Sequence, residues 1–588
     1  MPATTRQPNF AILLGLAWLL VVVQLLVQHW GETAQTLLDT DDAMRLAQMR
    51  DWLAGQGWYD LVQHRVEPPA GYESHWSRLI DAGLAGTLWL FALFADPALA
   101  ERLMRAIWPM LWLLPTIGGT AAIAWRVSGR EAALLALLLA VVGLPAFHQF
   151  RPGRIDHHNV QIAISVLVVA ATVWSDRIRW AAWAAGAVTG LALAIGLECL
   201  PYLMVCGAAF ALRYVVDRNG APAAIRYGLA LAASSVAAFF VIVAPSHWTR
   251  GVCDAIAINW VALVVIGGLG LAAAGHWFAR ERLTVRLACA GVVGAAAAGL
   301  FLAVQPACLH GPYAMMDPAV WPIWLAHVRE MQPLIPLMAK SPLTAIAIAA
   351  FPAAAAVAAL VLLGQAEHRR DFGFLAATAA FVSAAITTLA AIKAYSYATW
   401  LGMPLVAVLA LHLFAWLRLR TLVPRFALGL LLTPAGLSIG AIAVANAAGV
   451  DEHENFNRPE REACLKTENY APLARLPAGL IAADIDFGPF LLALTPHGVL
   501  AAPYHRLSKG MIAAHEAFVG APDAARRIFR RERVSYVVTC GPRPPSGLVG
   551  AALGASLWGR LQAGDVPGWL EPIPQTGPFV AYHVKPQS

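Results

Sequence analysis

Residues 131–175 read EAALLALLLAVVGLPAFHQFRPGRIDHHNVQIAISVLVVAATVWS. An apolar run over 131–147 is followed by a short polar stretch, Arg151-Pro152-Gly153-Arg154-Ile155-Asp156-His157-His158-Asn159. A second apolar run, 158–175, starts at once. Each run is long enough to cross the hydrocarbon core of a bilayer as a helix. The stretch therefore reads as two membrane spans joined by a turn that carries acid, base and imidazole groups.

The same pattern extends both ways. Apolar segments fall near 10–28, 78–95, 104–125, 179–196, 199–216, 223–245, 257–276, 285–304, 343–363, 373–391, 396–416 and 424–446. The 588 residues are 59% hydrophobic and 13% charged, with a mean hydropathy of +0.61. Soluble domains are about a quarter charged, so an ordinary soluble enzyme and a disordered chain are both excluded. Residues 449–588 hold 27 of the 77 charged residues, which marks a water-soluble domain after a membrane domain spanning 1–448. The net charge of +7 does not point to nucleic acid, because the basic residues sit in short loops between apolar runs, where they set orientation. The first run follows a short arm with Arg6 and reads as an uncleaved anchor.

Segment 78–95 is interrupted by Gly83 and Gly86 and preceded by Arg78 and Asp81. With it set aside as a horizontal or re-entrant helix, thirteen spans remain. Their loops then divide into one set with fifteen arginines, among them Arg126, Arg177, Arg213, Arg280, Arg369 and Arg418. The other set holds six basic residues: Arg151, Arg154, Arg250, Arg329, Lys340 and Lys393. The rich set belongs in the cytoplasm. The expected topology has the amino terminus inside, long outer loops at 29–103 and 305–342, and the 449–588 domain outside. A bacterial inner membrane with a periplasmic carboxy-terminal domain is the expected setting. Cys253, Cys308, Cys464 and Cys540 all fall on the outer side, where disulfides Cys253–Cys308 and Cys464–Cys540 are permitted. Cys199, Cys206 and Cys289 read as apolar filler.

Four polar clusters share that outer side. Asp39, Asp41 and Asp42 crowd one turn, and like charges so close call for a compensating cation. Asp156 and His158 supply a carboxylate and an imidazole that suit Mn²⁺ or a similar ion. The loop 305–342 carries Asp317, Trp324, His327, Glu330, Gln332 and Pro333. Lys393, Tyr395 and Tyr397 lie at the outer end of a span, where a cation meets lipid phosphate. Glu198 is costly in lipid and is expected to face an internal cavity. No Walker motif, no GxGxxG after a strand and no CxxC pair is present. Acids, a divalent metal and a cation for phosphate, gathered on one face, suit cleavage of a lipid-linked phosphate ester. The competing reading is a lipid or polysaccharide export component, which would place charges within spans; such charges are nearly absent.

These residues resemble the GT-C membrane glycosyltransferases, specifically the STT3/AglB/PglB oligosaccharyltransferases. Asp42-Ala43, with Leu53 and Gly57 following, is similar to that family's first-loop Asp-Pro motif, and Asp41 is a rival for the Asp. Asp156-His157-His158 resembles the archaeal form of its second acidic motif. His327-Val328-Arg329-Glu330-Met331-Gln332-Pro333 resembles the Ser-Val-Ser-Glu-x-Gln-Pro of its long outer loop. Asp486-Phe487-Gly488 keeps the Asp-aromatic-Gly core of its Trp-Trp-Asp-Tyr-Gly stretch, with both tryptophans gone.

The resemblance implies an α-helical polytopic fold of about thirteen spans with an outer α/β domain. It implies catalytic roles for Asp42, Asp156 and Glu330, and a divalent metal, Mn²⁺ or Mg²⁺, on Asp42, Asp156 and His158. Substrate contacts would come from Asp41, His157, His327, Lys393, Tyr397 and Asp486. Tyr397 is reached by counting back from Pro404 to the family's phosphate-binding position, and Lys393 lies one turn earlier. The implied donor is a glycan on polyprenyl (pyro)phosphate, drawn from the membrane, and the acceptor is a protein, lipid or glycan. A single-sugar transferase of the mannosyl or aminoarabinosyl branches is the alternative, because Asp41-Asp42 resembles their Asp-Glu pair. In the outer domain, Leu480-Ile481-Ala482-Ala483 and Val534–Val538 read as buried strands. Residues 520–533, with five arginines, read as a basic helix.

Overall fold

The computed structural model describes residues 9–452, 462–542, 544–545, 551–574 and 577–586; the arm with Arg6 lies outside them. The chain is a multi-pass membrane protein; among the described residues eight helices are long and apolar enough to cross a bilayer, with a ninth crossing if a bent pair is taken as one. Every expected span has a helical counterpart. The segments 104–125 and 131–147 lie on two helices within the stretch Pro97–Val141. It breaks at Ser128 and Gly129, where Gly129 adopts φ 78°, a left-handed conformation that glycine takes without a Cβ penalty. The last span is split into Leu422–Leu431 and Pro434–Ala447, bent by 66°. Pro434 has no N–H to continue the first helix, and Thr433 Oγ1 accepts from Gly436 N to start the second. Three shorter apolar helices, His158–Trp174, Arg179–Ile195 and Leu200–Val216, complete the bundle.

The segment set aside at 78–95 is a helix, Arg78–Ala92, of 15 residues. At 1.5 Å per residue it extends only about 22 Å, too short to span. Its first turn is anchored by charge: buried Asp81 accepts from Arg45 at 2.9 Å and from Arg78 at 3.0 Å.

The carboxy-terminal domain is a five-stranded sheet in the order Gly498–Val499, Leu480–Ala482, Tyr536–Cys540, Phe579–Val584, Leu570–Ile573. The first three strands are parallel and the last two antiparallel. The expected basic helix is Pro522–Arg531, and it turns Ala525 and Phe529 inward. Both disulfides, Cys253–Cys308 and Cys464–Cys540, are formed.

This domain is tied to the first long loop. Val66 pairs with Val499, Arg50 Nη1 donates to Ala493 O at 2.7 Å, and Tyr504 OH donates to Thr40 O at 3.0 Å. One apolar core continues from Leu113 and Trp400 among the helices to Ile481 and Val537 in the sheet. The first long loop is therefore held rigidly between helices and sheet.

A second tie joins the loop before Ile258–Trp277 to the same domain. Asp254 accepts from Arg506 in bidentate fashion, 2.7 Å at each oxygen, and from His505 at 2.6 Å. Burial pushes Asp254 up, but His505 and Arg506 prevail and hold the carboxyl below the usual range. A depressed carboxyl contributes stability above the unfolded value of about 4, which is lost only as pH falls through the folded one. D254N is expected to cost about 2 kcal/mol at neutral pH, the low end for truncating a partly buried charge pair. Thermal unfolding in detergent checks this, and R506M added to D254N should restore part of the loss.

Candidate active site

The site begins at the helix Thr40–Leu53. Asp39 caps it by accepting from Asp41 N at 3.3 Å, so three carboxylates sit where the helix dipole favours negative charge. The helical rotation separates them. Asp42 is 0% exposed and points toward the polar turn before His158–Trp174. There its Oδ1 accepts from Ile155 N at 2.7 Å and Asp156 N at 3.1 Å. Asp156 is also 0% exposed, and its Oδ1 accepts from His158 N at 2.9 Å. The two acids expected to converge, 114 positions apart, do so.

A third side chain lies between them. Arg154, 4% exposed, sends Nη1 to Asp39 Oδ2 at 2.8 Å and to Asp42 Oδ2 at 3.1 Å. Its Nη2 reaches Gln149 Oε1 at 2.9 Å and Asp156 Oδ2 at 2.5 Å. Burial raises Asp39 and Asp156, but the Arg154 charge outweighs it and holds both below their ordinary value.

Asp41 behaves differently. It lines a cavity of about 860 Å³ and has no hydrogen bond or ion pair to its carboxylate among the described residues. Burial, then the charges of Asp39 and Glu330, push it well above the usual carboxylate range. Across the same cavity, Lys393 Nζ lies 2.7 Å from Glu198 and 3.9 Å from Glu330. His158 lies 3.3 Å from Glu198 through Nδ1 and 3.9 Å from Glu330 through Nε2. Two carboxylates thus alternate with the Lys393 ammonium and the His158 imidazole. His157 also lines the cavity, and burial with the neighbouring His158 lowers it to about 3, so its imidazole is neutral at physiological pH.

Of the other expected contacts, His327 and Asp486 line the cavity, and Phe487 lines it beside Asp486; His327 Nε2 lies 3.0 Å from Pro322 O. Tyr397 does not line it: it is buried within Tyr395–Trp416 against Tyr202, ring centroids 4.6 Å apart. Two residues along a helix are about 200° apart, and Tyr395 takes the cavity side instead. Asp42 and Asp156 likewise stand behind the cavity wall rather than on it. Residues that sequence reading passed over are Arg154, Tyr313 and Tyr504. For Arg154 the only signal was a basic residue two positions before Asp156.

The ligand set Asp42, Asp156 and His158 does not fit a metal in this arrangement. All four carboxylate oxygens are engaged, by backbone N–H groups or by Arg154. The adjoining group His157, His158 and Glu198 does fit, since its ligand atoms lie within 4.8 Å of one another. The Nδ1 atoms of both histidines are buried without a hydrogen bond.

Searches against sequence-family models and curated proteins give no match. Solved structures do match in fold. The archaeal oligosaccharyltransferase AglB from Archaeoglobus fulgidus, in complex with an inhibitory peptide and a dolichol-phosphate, superposes with a TM-score of 0.65 at 14% identity, over 97% of this chain and 74% of that one. The A. fulgidus oligosaccharyltransferase tethered to an acceptor peptide with the NVT sequon gives the same figures. Its complex with Zn and sulfate gives a TM-score of 0.60 at 14% identity, over 97% and 73%. The chain has the GT-C fold of these membrane glycosyltransferases.

Proposed function

We propose that the protein is a membrane glycosyltransferase that moves a sugar or oligosaccharide from a polyprenyl (pyro)phosphate carrier to an acceptor on the outer face of the membrane. The observation that carries this reading is the cavity in which Asp41, Glu330, Glu198, His158 and Lys393 meet between bundle and sheet domain. The outer placement is supported by the two disulfides, which form where conditions are oxidising.

Lys393 receives the donor phosphate, exchanging its contact with Glu198 for the stronger charge of the phosphate. The bond from the anomeric carbon to the phosphate oxygen breaks, and the oxygen leaves with the electron pair, facing Lys393. The acceptor heteroatom forms the new bond to that carbon and gives its proton to Asp41, whose raised basicity suits the task. Glu330 orients the acceptor, which enters past His327, Asp486 and Phe487. His157, His158 and Glu198 would hold a divalent cation, Mn²⁺ or Mg²⁺, which when bound offsets negative charge on the phosphate.

The direct test incubates purified protein with a radiolabelled polyprenyl-phosphate-linked glycan and cell-envelope extract. Label is expected to leave the lipid fraction and enter an acceptor fraction. Label that stays wholly in the lipid fraction with active, folded protein would contradict the reading.

A further inference from the structure

The four terminal N–H bonds of Arg154 are each used once, on Asp39, Asp42, Gln149 and Asp156. A guanidinium has no further donors at its fork, so the fork is saturated. Its Nε is buried and makes no hydrogen bond, as expected if the position of the fork dictates that of the stem. The side chain arrives from inside the polar turn, whose backbone Asn159 Nδ2 fixes by donating to Arg154 O at 3.0 Å. The guanidinium is buried, and a divalent ion brought between Asp42 and Asp156 would meet a fixed positive charge at hydrogen-bond distance from both acids.

We propose that Arg154 is the resident cation of the Asp39–Asp42–Asp156 seat, a tethered charge in the place between acids where a free divalent ion would sit. Divalent cations are then excluded from this seat, while the neighbouring His157–His158–Glu198 group stays open to them. Arg154 is a positioning residue: it draws three carboxylates together, holds the turn against the helix Thr40–Leu53, and so fixes where Asp41 enters the cavity. The seat adjoins the cavity assigned to transfer, but metal binding is counted without donor or acceptor. A failure here therefore leaves the transferase reading standing, and the reverse also holds.

The test is Mn²⁺ titration of the full detergent-solubilised chain, with free ion counted by electron paramagnetic resonance. In D42N the Asn Oδ1 still accepts from Ile155 N and Asp156 N, so the turn keeps its support. D42N is expected to bind Mn²⁺ within about threefold of the native chain, whereas loss of a true carboxylate ligand costs about tenfold or more. R154M is expected to gain a Mn²⁺ site that R154M/D42N lacks, and R154K, which keeps the charge, to gain none. No binding by the native chain at millimolar Mn²⁺ also supports a closed seat. A tenfold loss in D42N overturns the proposal, as does a folded R154M that gains no site. If R154M does not fold, the D42N comparison decides.

Discussion

D41N is expected to lower glycan transfer by about 10²–10⁴-fold, the span attributable to one positioned general base, while the unfolding temperature holds steady or rises. The two halves of this expectation have one cause. Asp41 faces the cavity with no partner for its carboxylate among the described residues, and Asp39, Glu330 and Asp156 oppose its charge. Removing that charge relieves repulsion and breaks no contact, so a stability loss is not expected. A structural acid would show the opposite split, as D254N should. The pH profile supplies a further readout. A base works only when deprotonated, so transfer falls as pH drops through its value. For Asp41 the fall should lie above the ordinary carboxylate value of about 4, and D41N should flatten it. Initial rates over pH with a fixed donor, alongside thermal unfolding of both forms, check this. D41N at native rate would remove Asp41 from the reaction.

K393A is expected to lower kcat/KM for the lipid-linked donor by about 10²-fold or more, the loss typical of removing one preorganised group at a developing charge. The effect has two parts. The phosphate loses its cation, and Glu198, which pairs with Lys393 at 2.7 Å, is left facing the phosphate with its charge uncovered. K393A/E198Q should therefore recover part of the loss, and K393R, which keeps a cation, should lose less than K393A. Donor binding measured by native mass spectrometry should follow the same order. Equal losses in K393A and K393A/E198Q would mean that Glu198 does not face the donor.

Much of the fold was legible because hydropathy acts locally. A run of apolar residues has one stable place, and each expected span lies on a helix. Segment 78–95, set apart by basic-residue counting, is a helix of only 15 residues, and its first turn is held by Asp81. The two disulfides were legible from loop placement. The break between 104–125 and 131–147 was legible as well, since Ser128 and Gly129 leave helical geometry where the sequence places a loop.

The site was legible at the level of segments and less so at the level of side chains. Asp156, His158, Glu198, Glu330 and Lys393 come from four stretches and meet. Which Asp of the Asp41-Asp42 pair faces the substrate depends on helical phase, which is set by tertiary contacts to Ile155 and Asp156. Tyr397 failed for the same reason. Arg154 reads as one more loop arginine until the fold brings Asp39 and Asp42 to it from more than a hundred residues away.

The most direct test of transfer from a polyprenyl carrier is mass spectrometry of polyprenyl-phosphate-linked glycans from cells lacking the protein, complemented with native protein or with D41N. The lipid-linked donor should accumulate without the protein, fall to the starting level with the native chain and remain high with D41N. A donor pool that is unchanged by deletion and indifferent to D41N would contradict the assignment.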